Sequence, residues 1–225
     1  MQQTSYEGVP SVTRPLRTYL CGSRTFGAAV LDVLCRRGNH VTGVSSPTAD
    51  ERGRPDRLYT TAQERDVPHT PTEEFRAGAI PDDTDLILAA HAHVFIGARA
   101  RNRAKLGCVG YHPSLLPLHR GRDAIRWTVH MRERITGGTV YWFTDEVDGG
   151  PIAAQDWCFV RPEWSASDLW SNELFPMGVR LFEQVLDDIE AGRIIKQPQD
   201  ETLATWEPSW ERPPMERPTE EAASA

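Results

Sequence analysis

Residues 16–45 constrain the fold more than any other stretch, because they alternate a short apolar run, a glycine turn and an amphipathic segment. LRTYLC (residues 16–21) is mostly apolar, Gly22-Ser23-Arg24-Thr25-Phe26-Gly27 forms the turn, and AAVLDVLCRR then carries apolar residues at helical spacing. Gly38 stops that helix, and HVTGVS (residues 40–45) reads as a second strand. A strand, a helix and a strand this close together call for parallel pairing with the helix as crossover. TDLILAA (residues 84–90) is an unbroken apolar run between polar neighbours, the pattern of a strand covered on both faces. The fold class is therefore α/β, with a mostly parallel twisted sheet.

The remaining elements follow in order. Residues 46–57 are a polar surface loop with two prolines, residues 61–66 a short helix and residues 67–70 a short edge strand. Residues 108–111 form the next strand, followed by a turn that Pro113 and Pro117 hold extended and a helix over residues 123–134. Residues 139–143 and 153–160 make a pair of strands flanking an acidic loop. Residues 167–191 form the longest helix, with a core-facing stripe from Leu169 to Ile189, a stop at Gly192 and a split at Pro176. A chain of 225 residues holds one such domain. Its expected division is a loosely held N-terminus (1–15), a catalytic domain (16–197) and a C-terminal extension (198–225) whose end, 213–225, is disordered.

Composition narrows the function. No apolar run approaches the ~20 residues needed to cross a bilayer, and residues 1–15 lack the basic-then-apolar order of a secretory signal, so the expected location is cytoplasmic with no membrane partner. A net charge of −7 opposes nucleic-acid binding. Cys21, Cys35, Cys108 and Cys158 form no CxxC pair and read as buried free thiols, with no metal site among them.

Residues 107–151 concentrate the residues that a fold alone does not require. His112 ends one strand, and Asp148 sits in the loop after another, within Asp145-Glu146-Val147-Asp148-Gly149-Gly150. A carboxylate held against an imidazole favours its charged form and fixes its tautomer, as general acid/base work requires. Gly149 and Gly150 let the backbone approach a ligand closely. Ligands should enter at the carboxyl ends of the strands that bear His91, His112 and Asp148.

At these residues the chain resembles the folate-dependent formyltransferase family, which includes glycinamide ribonucleotide, methionyl-tRNA and sugar-amine formyltransferases. The resemblance is carried by His112-Pro113-Ser114-Leu115-Leu116-Pro117, Arg120-Gly121, Thr136-Gly137-Gly138-Thr139 and Asp145 to Ile152, with Gln155 following, and more weakly by Gly22 to Phe26. It implies a Rossmann-like fold with helices on both faces and 10-formyltetrahydrofolate as donor. It also implies formyl transfer to the primary amine of a small molecule such as an amino sugar, amino acid or nucleotide derivative. His112 and Asp148 match the family's catalytic histidine and aspartate. Folate contacts are implied at Ala90, His91, Ala92, Ser114, Leu116, Thr144, Asp145, Val147, Asp148 and Gly149, and acceptor contacts at Gly22, Ser23, Arg24, Arg120, Gly121 and Arg122. A homodimer is compatible with this arrangement.

One departure stands out. The family's third catalytic residue, an asparagine two positions before the histidine, is here Gly110. His91 or His93 is expected to project into the space left at Gly110, whereas strand alternation turns Tyr111 away from that face. The rival readings are a metal-dependent hydrolase using His91, His93, His112 and Asp148, a non-catalytic folate or nucleotide binder, and an enzyme that passes the formyl group to water. The Trp206–Trp210 segment reads as packing over the sheet, with a lid or a dimer contact as the alternatives.

Overall fold

A computed structural model describes residues 5–8, by their backbone, and 14–210. The strands are β1 (Ser5–Gly8), β2 (Arg17–Gly22), β3 (His40–Ser46), β4 (His69–Pro71), β5 (Leu86–Ala90), β6 (Cys108–His112), β7 (Ile135–Trp142), β8 (Ile152–Phe159) and β9 (Arg193–Lys196). The helices are α1 (Arg24–Arg36), α2 (Arg57–Glu64), α3 (Ala98–Arg101), α4 (Ala124–His130), α5 (Ala166–Leu169) and α6 (Phe175–Glu190). Seven strands form one sheet in the order β4-β3-β2-β5-β6-β7-β8, parallel through β6 and antiparallel beyond it. The order reverses between β2 and β5, whose last residues Gly22 and Ala90 lie side by side. A crevice opens at the carboxyl ends of the strands at such a point.

Alternation along the central strands explains why both faces are covered. Leu20, Leu86, Leu88 and Val109 join α1 and α6 in the larger core, while Tyr19, Cys21, Ile87, Ala89 and Cys108 join Phe75, Ile80, Ile96 and Ala100 in a smaller one. All four cysteines are free, three of them buried, in line with the sequence. No helix among the described residues is long and apolar enough to cross a membrane.

Three expectations need correction. Pro176 does not split the last helix, because a π-helical turn at Trp170–Leu174 immediately precedes α6. The wider turn absorbs the amide that proline lacks and the clash its ring would make. Within the stretch expected to be loose, residues 5–8 pair antiparallel with β9, a strand the sequence reading did not include. Trp210 packs on Trp127 and His130 of α4, not over the sheet, and the Trp127 indole donates to the Pro208 carbonyl. The proposed disordered end, 213–225, lies outside the described residues.

Candidate active site

Strand β6 delivers His112, only 6% exposed, to the edge of the parallel part of the sheet. The turn behind it is held from β7 and β8. Thr139 Oγ1 donates to the Ser114 carbonyl and accepts from the Leu116 amide, while Gln155 Nε2 donates to both the Leu116 carbonyl and Thr139 Oγ1. Ser114 Oγ donates to the Leu118 carbonyl, and the Leu116–Pro117 peptide is cis. This clamping brings the His119 carbonyl to 2.7 Å from His112 Nε2. A carbonyl only accepts, so that nitrogen carries the hydrogen, and Nδ1 is the atom turned toward Asp148, 3.6 Å from Oδ2.

Asp148 adopts a left-handed conformation with φ 53°. Asparagine and aspartate tolerate that region better than most residues. Gly150 completes the tight turn, since a Cβ there would lie 1.7 Å from the Trp142 carbonyl. The carboxylate is held at both oxygens: Tyr141 donates its hydroxyl to Oδ1 at 2.6 Å, and the Gly121 amide donates to Oδ2 at 2.8 Å. Burial, followed by the neighbouring carboxylate, pushes the Tyr141 phenol well above its ordinary pKa, so it stays a donor. The C-terminal segment ties the loop down from behind. Gln199 Nε2 donates to the carbonyls of Asp148 and Gly150, and Gln199 Oε1 accepts from Arg120 Nε and Nη2.

Arg120 is thus not an acceptor clamp. It is 4% exposed, and Gln199 and Glu201 take its guanidinium donors. His119 lies 3.0 Å from Glu133 at Nε2 and 2.9 Å from Glu207 at Nδ1, although the second contact is too far off-line for a hydrogen bond.

Gly110 has no room for a longer side chain. A Cβ there would lie 2.3 Å from the Phe143 ring and 3.2 Å from Ala89 Cβ. Phe143 therefore fills the space, and the expectation that His91 or His93 does so is overturned. Those histidines stand at the end of β5 on another flank. Ser23 Oγ gives its hydrogen to the His91 carbonyl and so accepts from His91 Nδ1 at 3.1 Å. The rings of His91 and His93 meet edge to face, 5.1 Å apart. Crowding by protein, then His93 and Arg24, pushes His91 below its usual pKa, though its exposed ring leaves water to moderate the shift. Burial, then Arg24, does the same to His93, with a smaller push from Arg122.

The expected acceptor contacts Gly22, Ser23 and Arg24 sit at the start of α1, but the amide of Arg24 is taken by the Asp56 carboxylate, at 3.1 and 2.8 Å, which also caps α2 through Leu58. Beside it lies an open cleft of about 600 Å³ lined by Arg24, Asp50, Glu51, Arg54, Asp56 and Arg57. A second depression between α1 and α6 is lined by Ala29, Phe175, Pro176 and Val179 and by none of the expected site residues. Of the expected folate contacts, Ser114 and Leu116 are buried and Val147 is 58% exposed. Asp145 pairs with Arg101, which also donates to the Ile96 carbonyl and so joins the 144–149 loop to the segment after β5. Among the described residues no three histidine, cysteine, aspartate or glutamate side chains come together as a metal site, which removes the grouping of His91, His93, His112 and Asp148.

Sequence reasoning missed Tyr141, Phe143 and Gln199. The first two could have been found only from the register of β7 against β6, which sets Tyr141 opposite Gly110. Gln199 carried no signal, being 51 residues from Asp148.

Residues 49–186 match the protein family described as "Formyl transferase". The mitochondrial 10-formyltetrahydrofolate dehydrogenase of Mus musculus is 32% identical over 202 residues, covering 85% of this chain and 22% of that protein. The chain thus spans about a fifth of that relative's length. Methionyl-tRNA formyltransferase of Thermotoga maritima is 30% identical over 206 residues, covering 86% of this chain and 64% of the relative. The crystal structure of the N-formyltransferase from Helicobacter canadensis, in complex with folinic acid and dTDP-3-aminofucose, superposes with a TM-score of 0.67 at 16% identity, covering 85% and 70% of the two chains, and supports the fold.

Proposed function

The chain belongs to the formyl transferase family, and on that premise we propose that it transfers the formyl group of 10-formyltetrahydrofolate to the primary amine of a small molecule, with His112 and Asp148 at the reacting atoms. The observation that carries this is the His112–Asp148 pair, 3.6 Å apart, with His112 oriented by the His119 carbonyl and the carboxylate by Tyr141 and Gly121. The co-substrate supplies the formyl group. Its fit is supported by the joined rims of the 90–97 and 144–149 segments, where Ala92, Val94 and Phe143 give an apolar wall beside main-chain polar groups. Such a wall suits a flat ring that hydrogen-bonds at its edge.

The chain's own groups divide the work. As the amine lone pair attacks the formyl carbon, negative charge grows on the carbonyl oxygen and the attacking nitrogen must lose a proton. Asp148 is placed to take that proton and to return it to the departing folate nitrogen when the old C–N bond breaks. His112, able to carry a proton on Nδ1 toward Asp148, stabilises the charge in between. At the mouth, Asp56 occupies the amide at the start of α1, which favours an acceptor that brings no phosphate to that spot.

A second reading has water as the acceptor. The burial of His112, the partial burial of Asp148 and the Phe143 ring beside Gly110 favour it, because they leave less room for a bulky amine. Incubation with 10-formyltetrahydrofolate and a panel of amines separates the two, since the first yields a formamide and the second formate. No release of tetrahydrofolate under either condition would overturn both. The tie from Gln199 to the Asp148 loop also supports extending the working unit from residue 197 to residue 210.

A further inference from the structure

The face left bare at Gly110 is met from across the strand. Gly110 pairs with Tyr141 and His112 with Thr139 in antiparallel register, so Tyr141 shares the face of Gly110 and His112. Phe143, two residues on, stacks on the Tyr141 ring at 5.1 Å and prevents any larger residue at 110. His112 Nε2 is already committed to the His119 carbonyl. The Tyr141 hydroxyl, 2.6 Å from Asp148 Oδ1, is the side-chain donor that this strand pair turns toward the carboxylate.

We propose that Tyr141 is a third catalytic residue, its hydroxyl serving as the oxyanion donor that Gly110 cannot supply. The inference rests on the formyl-transfer assignment above. At rest the hydroxyl gives its hydrogen to Asp148. When Asp148 takes the proton from the attacking nitrogen, its carboxyl no longer competes for that hydrogen, and the O–H turns to the carbonyl oxygen as charge develops there. No bond to Tyr141 forms or breaks. As the C–N bond of the donor breaks, Asp148 returns its proton to the leaving nitrogen and the hydroxyl swings back. The electron balance is that of the transfer itself, and the phenol stays protonated throughout, in keeping with its raised pKa.

Tyr141→Phe removes the hydroxyl and keeps the ring. Loss of an oxyanion donor lowers turnover by about 10²–10³-fold, so kcat should fall by that factor while KM for the formyl donor stays near that of the unaltered protein; the lost bond to Asp148 lowers the melting temperature as well. A purely structural tyrosine would lower the melting temperature and leave kcat near that of the unaltered protein. Adding Gly110→Asn with Phe143→Ala to Tyr141→Phe places an amide donor on the same face with space to fit, and should restore at least about tenfold of the lost rate, a fraction of what one such donor contributes. Unchanged kcat in Tyr141→Phe, in a preparation whose unaltered form turns over, overturns this inference and leaves the formyl-transfer assignment standing. Absence of turnover in the unaltered protein overturns both.

Discussion

Two clusters of functional-looking residues stand at the carboxyl ends of the strands, and they are built differently. In the β6–β7 cluster His112 and Tyr141 are buried and Asp148 half-buried, and neighbours fix their polar atoms: the His119 carbonyl on His112, Tyr141 and the Gly121 amide on Asp148, and Gln199 behind the loop. In the β5–α1 cluster Ser23 is buried, while His91, His93 and Arg24 are exposed. The Arg24 guanidinium there makes a long contact, 3.6 Å, with the exposed Glu51. Orientation to within a fraction of an ångström is what acid/base and oxyanion chemistry need, and the first cluster has the supports for it. The second has the adaptability of a rim that meets a substrate's outer parts. Two exposed histidines in sequence are therefore a weaker sign of catalysis than one buried histidine set against an anchored carboxylate.

This contrast can be broken by substitution. His112→Ala should have the largest effect, a fall in kcat on the order of 10³, within the range for a removed acid/base group. A loss below about tenfold would place the chemistry elsewhere. Gln199→Leu comes next. It leaves the reacting groups intact but frees the Asp148 and Gly150 carbonyls, and misplacement of this kind costs up to about 10²-fold. Here kcat should fall with KM for the formyl donor held, and a change in melting temperature alone would reduce Gln199 to a fold-stabilising role.

At the open cluster the expected effects concern stability or nothing. Asp56→Ala removes a buried carboxylate that caps α1 and α2 together, and should cost about 2 kcal/mol in denaturant unfolding, at the upper end for a helix cap. The kcat of this variant should stay near that of the unaltered protein. His91→Ala and His93→Ala should each change kcat by no more than roughly a factor of two to three, the scale of a surface substitution. If either matched the His112→Ala loss, the division between a catalytic centre and an adaptable rim would collapse.

The same contrast shows what the sequence could reveal. The parallel strands and α1 were legible because unbroken apolar runs between glycines have few other folds open to them, and His112 and Asp148 were legible because they sit in short dense motifs. Everything that needed register between distant segments was not. Tyr141 becomes a site residue only when β7 is aligned on β6, and Phe143 fills the gap at Gly110 for the same reason. Strand alternation placed Gly110 and His112 on one face, yet it could not say which neighbour would occupy that face, and the family resemblance after residues 84–90 pointed to His91 and His93. Arg120 looked like a surface clamp until Gln199 and Glu201 arrived from the C-terminal segment to take its guanidinium. The helix through Pro176 was misjudged because proline rules assume α geometry, and a π turn relaxes them.

Single-turnover release of tetrahydrofolate from 10-formyltetrahydrofolate, followed for the unaltered protein and for Asp148→Asn, tests the central claim most directly. Asparagine keeps the shape of the side chain but cannot take the proton from the attacking nitrogen. The account predicts release by the unaltered protein, and a loss on the order of 10³ in Asp148→Asn with folate-analogue binding retained. Equal release by both proteins, or none by the unaltered protein with amines and water alike as acceptor, would contradict it.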